Sequence, residues 1–428
     1  MYAMKKSLII IAAALLSLVA CSKVTMGEGN ADEHAISFQV ANYVQTKADD
    51  QPSPVKFSNE DFGTYAWYNA DDESQMHVPF MVNEQVTFDE ANNWWTTDRP
   101  YYWPKLGTLD FISYSPYRPA VTVTPEGTAG GQGDGQEQGE PQTETRYYPE
   151  ITENSIAWTD FNASNNQVDL MYSDKAINQT KNVETYFYTG VPTLFHHALA
   201  KLNFQIRANF LEDPAQKTTW EVYVQNVSLD YVRPDGSLNL TLNQDGTTWA
   251  LPSVEDYTVW NVDDTSLSLL SRPEISLLNE EGQSGQDTQT IPGLKLTTTA
   301  QPICTDLYVI PQILRDPQKV DSEFDENYQY TIEGQQLRIK MTIVTHLPGN
   351  PDDQGNPLVI TENITKSFLL KDISALKAWQ MNQNITYVIN IKPTANIDTP
   401  DNPEDVKITF DPAVGDWQQV TASTVIQF

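Results

Sequence analysis

Five histidines, two cysteines and 57 carboxylates are the side chains of this 428-residue sequence with the capacity for acid–base, nucleophilic or metal chemistry. The histidines are His34, His77, the adjacent His196 and His197, and His346. A zinc site needs three or four ligands at set spacings, and neighbours on a strand point to opposite faces, so His196 and His197 do not share one ion by strand geometry. His196 falls in register with the apolar even positions that follow it, which predicts a satisfied core or interface histidine. The Gly-x-Ser-x-Gly elbow, the His-Glu-x-x-His helix and the Cys-x-x-Cys pair are all missing, which removes the common hydrolase, metalloprotease and thiol chemistries. Asp71 with Asp72 and Glu280 with Glu281 supply the paired carboxylates that glycoside hydrolysis requires. With carboxylates this abundant, such pairs are expected to be solvated loop residues. The run Asn350-Pro351-Asp352-Asp353-Gln354-Gly355 approximates a calcium loop, but its twelfth position is Thr361 and Glu362 comes one residue late. A hairpin turn is expected there instead. The side chains therefore predict no metal, no cofactor and no catalytic site.

One cysteine has a different chemistry in prospect. Lys5 and Lys6 precede an apolar run from Leu8 to Leu16, followed by Leu18-Val19-Ala20-Cys21. The run is shorter than the ~20 apolar residues a bilayer span needs, and its end has the form of a lipobox, so residues 1–20 read as a lipoprotein signal peptide and Cys21 as the lipidation site. Acyl chains contribute ~0.8 kcal/mol per buried CH₂, enough to hold a protein on a membrane without a spanning helix. The outer membrane and cell surface are the expected location. Lipidation of Cys21 leaves Cys304 without a disulfide partner, and Cys304 is expected to be a small buried apolar residue.

The balance of 26 Lys and Arg against 57 Asp and Glu gives a formal net charge of −31. Nucleic acid is an unsuitable partner for such a surface, whose first effect is solubility. Aromatic residues cluster at Trp94-Trp95, Tyr101-Tyr102-Trp103-Pro104 and Tyr114 to Tyr117. An exposed row of these rings would stack on sugars, so a monomeric surface lipoprotein that binds glycans through Trp94 and Trp95 is the rival functional reading. Alternation sets Trp95, Tyr101 and Trp103 on one face, and core packing is the expected role of that face.

The elements that would position these residues are mostly strands. From Ala31 onward short runs alternate apolar and polar residues between Asp, Asn, Gly and Pro clusters, the pattern of antiparallel sheets with one buried face. The longest example is Ala200 to Phe210, where Ala200, Leu202, Phe204, Ile206, Ala208 and Phe210 share a face. Shorter examples are Ile36/Phe38/Val40, Trp220/Val222/Val224, Leu337/Ile339/Met341/Ile343, Tyr387/Ile389/Ile391 and Val406/Ile408/Phe410. The spacing suggests β-sandwiches. The best helical candidate is Ile373 to Trp379, capped by Asp372. Residues 125–145, rich in Gly, Glu and Gln, bury too little apolar surface to offset the entropy of ordering and read as a flexible loop. About 400 mature residues exceed what one core usually organises. The expected division is a linker and first strand at 21–57, an N-terminal sandwich at 58–193 and a C-terminal sandwich at 194–428.

Several segments taken in order resemble the fimbrillin family of Bacteroides-type bacteria, the subunits of type V pili. They are the lipobox at Cys21, Ile36-Ser37-Phe38 with Thr46-Lys47-Ala48, Phe62-Gly63-Thr64-Tyr65-Ala66, and Tyr102-Trp103-Pro104 leading to Leu109-Asp110-Phe111. Then come Asp169 to Ser173, Phe195 to Leu202, and Trp379 to Tyr387. The resemblance implies two β-sandwich domains of transthyretin-like topology and a structural or accessory role in a fimbria, with other pilus subunits as partners and adhesion to a host or glycan ligand as the outcome. It further implies that a protease cuts after a basic residue beyond the first strand, and that a neighbour's C-terminal strand fills the groove left behind. On this sequence the removable strand is Ile36 to Val44 and the basic residue is Lys47. The family's usual residue is arginine, and none occurs before Arg99, so either a lysine-tolerant protease acts or the strand stays, as would suit an anchor or accessory subunit. The donor candidates lie at the chain end, with Ile408 and Phe410 in one segment and Val425, Ile426 and Phe428 in the other. The alternative is that these segments complete their own C-terminal sandwich.

Overall fold

In the computed structural model, the residues described are 36–42, 61–70, 77–91, 94–123, 144–180, 190–215, 217–246, 248–250, 260–261, 274–278, 291–321, 329–351, 355, 357–374, 376–393 and 407–415. Nearly all of the regular structure is β. The first half of the chain contributes β1 (Phe38–Asn42), β2 (Asp61–Asn69), β3 (Val78–Asp89), β4 (Trp94–Thr97), β5 (Thr108–Ser115), β6 (Glu150–Thr152), β7 (Ser155–Asn162), β8 (Met171–Ser173), β9 (Ala176–Gln179) and β10 (Val191–His197). Seven of these close into a ring. The order runs β8, β10, β1, β4, β3, β2, β5, and β5 pairs again with β8 through Ser115 to Met171 and Tyr114 to Tyr172. Full closure removes the exposed edges that an open sheet would present. The ring holds its own core, in which Ile36, Phe38, Phe62, Trp95, Phe111 and Phe195 are buried.

The second half supplies β11 (Ala200–Ala208), β12 (Thr218–Asp230), β13 (Asp235–Thr241), β14 (Trp260–Asn261), β15 (Gln301–Val309), β16 (Gln336–Pro351), β17 (Pro357–Leu369), α1 (Leu370–Ile373), β18 (Asn384–Lys392) and β19 (Lys407–Gly415). One sheet has the order β15, β11, β18, β19, and a second has β12, β16, β17 as its long strands. Their inner faces meet in one core that takes Leu202, Phe204 and Ile206 from β11, Val222 and Val224 from β12, and Ile339 and Met341 from β16. Of the alternation read along 200–210, the strand keeps 200–208 with every even residue buried, and Phe210 lies just past its end, partly buried against the core.

A further sheet draws on both halves. β7 pairs antiparallel with β13, from Asp235 opposite Asn162 to Thr241 opposite Ser155, with β6 and β14 on the outer edges. Beneath it Trp158 and Phe161 pack with Leu238, Leu240, Trp249 and Trp260.

One local expectation is corrected. The helix lies earlier, at Leu370–Ile373, because Ser374 is already extended and the backbone of 377–379 is committed to sheet pairing with residues 312–314. Trp379 then turns into the core and donates Nε1–H to the Tyr387 hydroxyl at 2.9 Å. Residues 144 and 145, at the end of the expected loop 125–145, form a strand with Arg146 that pairs with Val121–Val123, while 125–143 lie outside the described residues. The segment 191–197, in which the boundary 193/194 was expected, is a continuous strand of the ring. The calcium-like segment lies at the connection of the β16–β17 hairpin, where Pro351 faces Pro357 and Gly355 has a φ of 81°.

Candidate assembly groove

β1 is the strand that joins the two sides of the ring, and it does so with mixed polarity. It runs parallel to β10, from Phe38 opposite Val191 to Asn42 opposite Phe195, and antiparallel to β4, where Phe38 faces Trp95. Backbone bonds continue this pairing just ahead of the strand, with Ile36 N–H donating to Tyr101 O at 2.7 Å and Val191 N–H donating to Ser37 O at 2.8 Å. The close approach depends on Gly190, since a Cβ built there would lie 2.8 Å from Ser37 O.

The side chains of Ile36 and Phe38 fill a channel. Ile36 and Phe38 are each 2% exposed. The Phe38 ring meets Phe62 edge-on at 5.6 Å and Phe111 edge-on at 5.8 Å. Phe62 in turn lies 5.4 Å from both Trp95 and Phe195. Such edge-to-face packing adds to the area term of burial. Withdrawing β1 would leave β10 and β4 with unpaired backbone groups, and would open an apolar slot lined by Phe62, Trp95, Phe111 and Phe195. An extended segment with large apolar residues at alternate positions is what satisfies both demands.

Side-chain contacts hold β10 and its neighbours in place. His196 Nε2 lies 2.8 Å from Asp174 Oδ1, and His197 Nδ1 lies 2.7 Å from Asp169 Oδ1. The two histidines do take opposite faces, each with its own aspartate. The expected register of His196 is corrected, because the buried positions of β10 are Val191, Thr193 and Phe195, and the chain leaves the strand at Ala198 before β11 begins. Further round the ring, Lys175 Nζ lies 3.2 Å from Asp110 Oδ2, with side chains only 5% and 7% exposed. Asp110 Oδ1 also accepts from Asn178 N–H at 2.8 Å. Neither Gly190 nor this ion pair was singled out from the sequence. The signal for the pair was a carboxylate set inside the apolar run Leu109-Asp110-Phe111-Ile112, which needs a buried partner.

Of the other candidates, Trp95 is buried in the ring, and Tyr101 and Trp103 pack partly buried against it. The Trp94 side chain lies outside the described residues. Ile408 and Phe410 belong to β19, whose backbone pairs with β18 opposite Ile391 and Ile389. Cys21, Lys47, Val425, Ile426 and Phe428 lie outside the described residues, as do Asp71, Asp72, Glu280 and Glu281. Cys304 is a free thiol on β15, half-buried, and burial with nearby Asp306 pushes its pKa up to about 11. Among the described residues no three His, Cys, Asp or Glu side chains are grouped to hold a metal ion, and no helix is long and apolar enough to cross a membrane.

The family model for fimbrillin-like proteins matches residues 46–417 of the chain. No curated protein matches it. Similar solved structures include a candidate cell adhesion protein from Bacteroides uniformis, at 15% identity over 90% of this chain and 97% of that one, with a TM-score of 0.39. A second, from Parabacteroides distasonis, has 11% identity over 89% and 97%, with a TM-score of 0.36. The tip fimbrial protein Mfa3 from Porphyromonas gingivalis, solved with a C-terminal truncation, has 11% identity over 84% and 94%, with a TM-score of 0.26.

Proposed function

The chain belongs to the fimbrillin-like family, and from that membership we propose that it is a structural or accessory subunit of a cell-surface pilus, joined to its neighbours by strand exchange, contributing to adhesion and catalysing no reaction. The observation that carries this reading is β1 itself. It is a short strand near the start of the chain, it closes a ring from between β10 and β4, and Ile36 and Phe38 just before and within it are buried. Removing it creates a slot that costs free energy until another strand occupies it.

In this proposal Cys21 carries the lipid that holds the precursor on the outer membrane, and a cut after Lys47 releases β1. The incoming strand comes from the end of another subunit, with Val425, Ile426 and Phe428 as its apolar anchors. The pairing of β19 with β18 supports assigning the donor to this last segment, because withdrawing Ile408 and Phe410 would strip an edge from their own sheet. Residues 58–193 and 194–428 act as the two sandwich domains, tied by the β7–β13 pairing.

The test is made on protein sheared from the cell surface. N-terminal sequencing is expected to start at Ala48, and mild heating in detergent is expected to leave a ladder of oligomers that disappears when residues 420–428 are deleted. A processed N-terminus with monomers alone would overturn strand exchange, and lipid still on Cys21 throughout an assembled fibre would overturn the cut.

A further inference from the structure

β17 is a thirteen-residue strand at the border of its sheet. Among the described residues it pairs on one side only, with β16. The pairing runs without a register shift from Leu369 opposite Gln336 to Leu358 opposite Leu347. Beyond Pro357 the strand has no proline, no glycine and no bulge, the devices that usually blunt an edge. Leu358, Val359 and Ile360 are 40%, 50% and 40% exposed, on both faces of the hairpin end.

The even-numbered residues of β17 lie beside the core-facing residues of β16. Phe368 is opposite Leu337, Lys366 opposite Ile339, Ile364 opposite Met341 and Glu362 opposite Ile343. Ile364 and Phe368 pack on the core, whereas Glu362 is exposed and Lys366 half-buried. A charge on the core-facing side of a border strand repels casual pairing, because an arriving strand would bury it unpaired. Here there are two such charges of opposite sign, placed symmetrically about Ile364.

We propose that β17 is a self-recognition edge, pairing antiparallel with β17 of a second copy about a two-fold axis through Ile364. In that register Glu362 faces Lys366 of the second copy, Lys366 faces its Glu362, Ile364 meets Ile364 and Ile360 meets Phe368. On the other face Thr361 meets Ser367, Asn363 meets Thr365 and Val359 meets Leu369, so no like charges oppose each other. Sliding the strands by two residues sets both charges against apolar side chains, and sliding by four sets Glu against Glu or Lys against Lys. Charge complementarity therefore selects one partner, this chain, and one register. The contact leaves the ring and β1 untouched and is available to a subunit that retains its first strand.

The experiment measures the mass of the full chain with β1 in place, by sedimentation velocity over a range of concentrations. The expected result is a reversible dimer, with Lys366→Glu and Glu362→Lys each weakening it by about tenfold or more, and the double variant carrying both substitutions restoring it. A monomer up to about 1 mM, the level at which specific binding has all but vanished, would overturn the proposal. So would a dimer indifferent to the single substitutions, or one that the double variant fails to rescue.

Discussion

Lys175 and Asp110 show what one buried pair contributes to the ring. Each charge is kept out of water by the same packing that brings them to 3.2 Å, and Asn178 N–H satisfies the second carboxylate oxygen. Removing one partner is costlier than removing both, because the survivor is left charged in a desolvated site. Lys175→Ala is expected to destabilise the protein by about 3–5 kcal/mol in urea unfolding, with Lys175→Met plus Asp110→Leu recovering much of that loss. Cys304 offers a second check. With its pKa raised to about 11, only about 0.1% of the thiol is ionised at pH 8. Its alkylation by iodoacetamide should be slow at neutral pH and accelerate about tenfold per pH unit up to pH 11; a rate that levels off near pH 8.5 would contradict the burial assigned to it. At this scale the sequence revealed residue types better than partners. The histidine pair was legible as two separate groups, but Asp174 and Asp169 became their partners only through the pairing of β8 with β10.

The strands show where periodicity suffices and where it does not. Along 200–208 one face meets a core, so the period of two is clean and the element could be read directly. The same rule misplaced His196, because the chain breaks step between β10 and β11, and periodicity is blind to such a break. It also missed the helix boundaries, since a four-residue helix contains little more than one turn of pattern. The parallel pairing of β1 with β10 joins residues about 150 positions apart, and nothing local encodes it. Gly190 is the local feature that permits it. Gly190→Ala would drive a methyl group against Ser37 O, so the expected outcome is loss of hydrogen-exchange protection at the amides of 38–42, with β11 and β18 unchanged. Protection retained throughout β1 would show that the neighbouring backbone yields without cost.

For the molecule as a whole, charge and architecture pull in different directions. Copies with a formal charge of −31 repel one another before any strand or edge can meet. Raising ionic strength from 0.01 to 0.15 M shortens the screening length from about 30 Å to about 8 Å, and self-association should speed up by about tenfold or more, as followed by light scattering. A rate that falls with salt would mean that local opposite charges govern the encounter. The mostly-β class and the acidic surface were open to reading from composition and alternation. The closed ring and the sheet built from both halves were not, because long-range pairing decides them. That shared sheet has a mechanical consequence. With β7 and β13 zipped from Ser155–Thr241 to Asn162–Asp235, the subunit is braced across its waist, so the give in any fibre made of such units would fall at the joints between them, as in a chain of stiff links.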